Sequence, residues 1–137
     1  MTRFSESMLI RVYYEDTDHG GVVYYANYLK FMERARTEFL RAAGMELDVI
    51  DRDFGVLFAV TEAHVRYPAP ALFNDMLIVE SSIIKMRGAR IVFSQRILRQ
   101  KSRKLLTEAE IHLACIKRGG SVSRIPSEIT TILKKYI

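Results

Sequence analysis

Residues Tyr14-Glu15-Asp16-Thr17-Asp18-His19-Gly20-Gly21 place three carboxylates within four positions ahead of a glycine pair, and helical patterning follows shortly afterwards. A strand that ends in acids, turns on glycines and opens a helix brings a negative side chain near backbone N–H groups that have no partner inside the helix. Such N–H groups can hold the charge that develops on a carbonyl oxygen under attack, while a carboxylate attacks or activates water. The same residue types are also ordinary material for turns and helix caps, so the motif alone leaves a purely structural reading open.

Other chemistries find little support. The chain has no glycine-rich phosphate loop, dinucleotide fingerprint, nucleophile-elbow serine, cysteine pair or HExxH sequence. Its three histidines, His19, His64 and His112, lie far apart without metal-ligand spacing, so no metal site is expected. His64 and His112 fall at outward-alternating strand positions and read as solvated or subunit-facing, whereas His19, beside the acids, is either a turn residue or part of the site. Cys115 shares a strand face with Ile111 and Leu113 and reads as buried filler; as the sole cysteine it allows no internal disulfide. A carboxylate therefore remains as nucleophile or base. It suits a thioester, whose leaving thiol has a pKa of about 8.5 by analogy with cysteine, better than an amide, whose leaving amine must be protonated.

The elements that must position these residues are legible in the periodicity. Met8 to Tyr14 alternates Leu9/Arg11/Tyr13 against Ile10/Val12/Tyr14 and predicts a strand. From Asn27 to Ala43, Tyr28, Phe31, Met32, Ala35, Phe39 and Ala42 recur at helical spacing, with Asn27 as the expected N-cap and Gly44 just past the end. A loop is expected through Asp51 to Gly55. Strands are expected over Val56 to Tyr67, Met76 to Met86, Ala89 to Arg99 and Lys104 to Lys117, joined as antiparallel hairpins, before a short helix that opens at Pro126. One long helix with five strands predicts an α+β protein whose curved antiparallel sheet wraps around the helix. Apolar residues on both faces of Ile78 to Ile84 predict a second buried face, hence a homo-oligomer.

At 137 residues, 49% apolar and 27% charged, the chain reads as a single domain over 1–137. A formal charge of +5 favours anionic partners. The cations are dispersed and lie apart in sequence from Tyr13, Tyr14, Tyr24, Tyr25 and Tyr28, so a nucleic-acid surface with interleaved aromatics is not expected. Met1 to Ser7 carries neither an apolar core nor a small-residue cleavage pattern, and no segment is apolar enough to cross a membrane. With the lone cysteine, this predicts a cytoplasmic protein without membrane insertion.

Tyr14-Glu15-Asp16-Thr17-Asp18, Gly20-Gly21-Val22-Val23-Tyr24, Asn27-Tyr28, Glu33-Arg34-Ala35-Arg36, Val65-Arg66-Tyr67-Pro68-Ala69-Pro70, Asn74-Asp75, Met86-Arg87-Gly88 and Glu108-Ala109 together resemble the hotdog-fold acyl-CoA thioesterases. The resemblance is to the YbgC-like branch associated with the Tol-Pal gene cluster and related to 4-hydroxybenzoyl-CoA thioesterase, and it covers nearly the whole chain. It implies that Asp18 is the catalytic carboxylate, that the backbone N–H of Tyr25 supports the thioester oxygen, and that Gly21 and Val22 lie against the substrate. Relatives often have histidine where this chain has Tyr25, which keeps the backbone donor and removes an imidazole. Lys85, Arg87 and Arg90 match the region from which relatives contact the nucleotide of CoA. No separate cofactor is implied, because CoA arrives as part of the substrate. Dimers or tetramers with sites at subunit boundaries are implied, and an acyl carrier protein is a compatible partner. The competing readings are a non-catalytic protein that docks an acyl carrier protein or nucleic acid, and a dehydratase, which would require a histidine base at the helix opening.

Overall fold

The computed structural model describes residues 5–137; the expectation about the start of the chain falls mostly on residues outside this range. In chain order the elements are β1 (Glu6–Arg11), α1 (Asn27–Ala42), α2 (Leu47–Phe54), β2 (Val56–Arg66), β3 (Met76–Arg87), β4 (Arg90–Arg99), β5 (Leu105–Lys117) and α3 (Ser127–Leu133). The five strands form one antiparallel sheet in the order β1-β3-β4-β5-β2, laid against α1. This is the hotdog arrangement. β3, β4 and β5 follow one another as hairpins, as expected. β2 does not join that series at β3 but pairs with β5 at the far edge, and β1 closes the other edge against β3.

α1 buries Tyr28, Phe31, Met32, Ala35, Phe39 and Leu40, a stripe at helical spacing that faces the sheet. Leu77, Val79 and Ile83 from β3, Ile91, Phe93 and Ile97 from β4, and Leu106, Ile111 and Cys115 from β5 complete the core. Phe39 meets Phe93 edge-on at 5.3 Å between ring centres. Each such large side chain withdrawn from water contributes about 1.5–3 kcal/mol, and this burial holds the helix in the sheet's concave face.

Among the differences from the sequence expectation, three change the local structure. β1 ends at Arg11, because the Asp16 carboxylate accepts the Tyr13 N–H at 2.8 Å and draws the chain into a 3-10 turn over Tyr14–Asp16. The N-cap of α1 is Ala26 rather than Asn27, whose side chain instead donates to the Asp16 carbonyl at 2.9 Å. The segment expected as loop is mostly the helix α2, which buries Ile50 and ends where Gly55 turns left-handed at φ 66°.

Candidate active site

The acidic motif folds into a compact turn. Thr17 bridges Val23, the Asp18 N–H donates to the Val22 carbonyl at 2.9 Å, and the Gly21 N–H returns to the Asp18 carbonyl at 3.2 Å. Gly21 makes the reversal possible at φ 76°, a conformation that costs a residue with a Cβ. Within this turn the Gly20 N–H donates to Asp18 Oδ1 at 2.8 Å, which leaves the second carboxylate oxygen without a protein partner among the described residues. Asp18 lines an open cleft of about 600 Å³, together with Thr17, His19, Gly21, Tyr24 and Asn27.

Asp16 is committed differently. Its carboxylate holds the Tyr13 N–H, and its carbonyl accepts both the Tyr24 N–H at 3.0 Å and the Asn27 side chain. The residue therefore ties the turn to the start of α1. No side chain caps that helix, and the Tyr25 N–H has no acceptor among the described residues. A carboxylate with a free oxygen and a helix opening with a free amide thus belong to one short segment. That pairing can stabilise an oxyanion formed at a carbonyl carbon.

Aromatic rings crowd the helix opening. Tyr25 packs on Tyr24 at 4.9 Å and on Tyr67 at 6.2 Å, and Tyr67 meets Tyr28 at 5.4 Å. The Tyr25 phenol, through its hydrogen bond and charge, pushes the Tyr24 hydroxyl pKa up; burial does the same for Tyr28 and Tyr67. These three phenols stay neutral; Tyr24 and Tyr67 present polar tips at the surface, whereas Tyr28 is buried and its hydroxyl accepts the Ala71 N–H at 2.9 Å.

A loop that sequence reasoning did not single out packs against the turn and holds it. Val22 bridges Leu72, the Val23 N–H donates to the Ala71 carbonyl at 2.9 Å, and the Phe73 N–H donates to the Gly21 carbonyl at 3.2 Å. Tyr14 stands edge-on to Phe73 at 5.7 Å. Arg99 pins the loop by donating to Asp75 at 2.9 Å and to the Pro70 carbonyl at 3.0 Å, while Asp75 also accepts the Leu72 N–H. Asn74-Asp75 after the two prolines carried the available signal, since Asn74 takes the left-handed conformation at φ 72° that asparagine tolerates.

The remaining expected site residues separate into groups. Gly21 and Val22 lie in the turn beside Asp18. Lys85, Arg87 and Arg90 are exposed around the β3–β4 turn, at the opposite end of the sheet. β3 begins at Met76, next to the loop that braces the acidic turn, and its 12 residues carry the chain roughly 36 Å away at about 3.3 Å per residue. A single chain therefore does not bring these cations to Asp18. His19 is exposed in the cleft beside Asp18. Sequence distance misled for the other two histidines, because β2–β5 pairing brings the His64 and His112 rings to 6.0 Å. Cys115 is fully buried, and burial pushes its thiol pKa up, away from nucleophilic chemistry.

Known proteins resemble the chain in both sequence and fold. Residues 12–133 match the family model of the Thioesterase-like superfamily. The chain is 47% identical over 107 residues, 78% of each chain, to the acyl-CoA thioester hydrolase YbgC of Escherichia coli O6:H1. It is 41% identical over 113 residues, 82% of each chain, to the acyl-CoA thioesterase YbgC of Haemophilus influenzae. The crystal structure of a 1,4-dihydroxy-2-naphthoyl-CoA thioesterase from Synechocystis aligns with a TM-score of 0.85 at 26% identity, over 93% of this chain and 94% of that one. On its sequence and its fold alike, the chain belongs to the thioesterase-like superfamily, within the YbgC group.

Proposed function

We propose that this protein hydrolyses acyl-CoA thioesters to a free acid and CoA, with Asp18 as nucleophile or general base and the Tyr25 N–H as oxyanion donor. One observation carries the residue assignment: Asp18 has one oxygen fixed by Gly20 and the other free, in the segment that opens onto an uncapped helix with an unpaired Tyr25 amide. The names of the YbgC relatives support the substrate class.

Two routes use the same groups. In the first, the free Asp18 oxygen attacks the thioester carbon, the C–S bond breaks, and thiolate departs to take a proton from water; water then opens the mixed anhydride. In the second, Asp18 takes a proton from water as the hydroxyl adds to the carbon, and thiolate leaves from the tetrahedral adduct. In both, the negative carbonyl oxygen faces the Tyr25 N–H. A substrate seated against the tyrosine rings would displace water from one side of the reacting bond, which strengthens that interaction.

A thiol-release assay across short, long and aromatic acyl-CoAs, run with wild type and Asp18→Asn, tests the assignment. The amide keeps the shape and loses the charge, so kcat should fall by orders of magnitude while KM stays near the wild-type value. Retention of more than about a tenth of the activity, a loss below ~1.4 kcal/mol of transition-state stabilisation, defeats the role given to Asp18. Single turnover in ¹⁸O-water separates the routes, because only the anhydride route passes label through the Asp18 carboxylate.

The wider reading is a cytosolic homodimer or homotetramer. β2 presents an unpaired outer edge along 11 residues, with Leu57 and Val60 exposed, and such an edge invites pairing with a second copy. Lys85, Arg87 and Arg90 would then serve the phosphates of CoA bound at the partner's site. An acyl carrier protein, acidic and thioester-linked, is a further partner suited to the net positive charge. No helix among the described residues is long and apolar enough to cross a membrane.

A further inference from the structure

On the face of the sheet turned away from α1, β2 and β5 set four ligand-type side chains on two adjacent rungs. Glu62 stands opposite His112, and His64 stands opposite Glu110. The pairing depends on an irregularity in β2. The register shifts by one residue between Val60 and Glu62, and without that shift Glu62 would lie opposite Ile111, whose side chain is in the core. A slip of one residue exchanges the two faces of a strand, so this bulge turns Glu62 and His64 outward beside His112.

The donor atoms are already gathered. One from each of Glu62, His64 and His112 lies within 4.8 Å of the others. Each imidazole is engaged by an acid on its own strand, His64 Nε2 with Glu62 at 2.6 Å and His112 Nε2 with Glu110 at 2.8 Å. The His112 side chain is only 19% exposed and is held in place, whereas His64 at 66% and Glu62 at 56% are free to swing.

We propose that Glu62, His64 and His112 bind a divalent transition metal ion of the zinc class, with Glu110 positioning His112 and water completing the coordination. A tetrahedral ion about 2.1 Å from each donor requires donors roughly 3.4 Å apart. Contracting the widest separation and opening the Glu62–His64 contact takes about an ångström of movement, within reach of two exposed side chains. Imidazole with carboxylate suits zinc, nickel or copper and is a poor match for magnesium or calcium, which take all-oxygen sites. None of the three donors lines the Asp18 cleft, so the ion acts as a clasp between the edge strand β2 and its neighbour β5. An ion bound to the folded chain and not to the unfolded one raises thermal stability with the logarithm of its concentration over Kd.

Titration calorimetry of tag-free protein with zinc chloride, repeated with nickel chloride, tests the proposal. One ion per chain is expected, His64→Gln and His112→Gln should each weaken binding at least about tenfold, and Glu110→Gln should weaken it less. Zinc should raise the melting temperature of wild type and not of His64→Gln, a substitution at an exposed position that leaves the core untouched. Equal concentrations of magnesium or calcium should give no saturable heat. Binding that survives both histidine substitutions, that disappears in His19→Gln instead, or that saturates at half an ion per chain would overturn the assignment.

Discussion

Asp18 differs from Asp16 in where its carboxylate stands: each accepts one backbone N–H, but Asp16 is half-buried and away from the cleft, whereas Asp18 is exposed and lines it. Both polar ends of Asp16 are occupied, by Tyr13 at the carboxylate and by Tyr24 and Asn27 at the carbonyl. Asp16→Ala should therefore behave like the loss of a cap, costing about 1 kcal/mol in urea denaturation. It should lower kcat less than Asp18→Asn, because it loosens the turn without removing the reacting charge. Gly21 makes a complementary case. A Cβ there meets no atom within 4 Å, so the cost of Gly21→Ala is confined to the backbone at φ 76°, about 1–2 kcal/mol. Gly21→Asn should recover part of the lost stability and activity, since asparagine tolerates that conformation; equal defects in the two variants would show that sterics and not backbone geometry govern the turn. Cys115 bears on how such assays are read. Its buried, upshifted thiol should not react with a disulfide reagent in native protein, and one thiol per chain should appear once denaturant is added.

The docking of α1 rests on a polar joint as well as on apolar burial. Gln95 on β4 donates to the Met32 carbonyl at 3.0 Å and to Ser81 Oγ at 2.9 Å, and accepts from the Arg36 guanidinium at 3.0 Å. All three side chains are buried, and burial lowers the Arg36 pKa against the opposing pull of Glu33. Gln95→Leu fits the space but strands a guanidinium and a hydroxyl, and should cost about 3–5 kcal/mol in denaturant unfolding; a loss below about 1 kcal/mol would mean that water replaces the amide. Periodicity could not announce this joint, because Arg36 and Gln95 are 59 positions apart and each looks like an ordinary surface residue in its own element. The same limit explains what else was and was not legible. The stripe Tyr28, Phe31, Met32, Ala35 and Phe39 revealed α1, and alternation revealed all five strands, because both are local patterns set by burial on one side. α2 was missed because its eight residues bury only Ile50 and carry three aspartates. Strand order was also illegible, and with it the His64–His112 approach, the Arg99–Asp75 pin and the distance of the basic hairpin from Asp18. For the site, spacing identified the acidic turn, whereas the aromatic mouth and the loop of residues 67–75 emerged only from tertiary packing.

At the scale of the whole molecule, the two parts proposed to handle an acyl-CoA lie at opposite ends of the sheet. Asp18 follows the end of β1, level with Met76, whereas Arg87 and Arg90 close the far end of β3 and β4. A second copy paired antiparallel along the free edge of β2 reverses this relation, because a two-fold axis through that edge carries each chain's basic hairpin to the end that holds its partner's Asp18. Sedimentation at micromolar concentration should accordingly give a dimer or larger, and Val60→Asp on the exposed edge should shift the protein toward monomer with loss of activity. Complementation offers the sharper measurement. Asp18→Asn chains supply intact cations and no carboxylate; chains with Lys85, Arg87 and Arg90 all changed to alanine supply the carboxylate and no cations. If the hairpin serves the partner, mixing and exchanging the two inactive dimers makes half of them mixed, each with one complete site, so about a quarter of wild-type activity should return. If each hairpin served its own chain, mixed dimers would hold no complete site and the mixture would stay as inactive as its components.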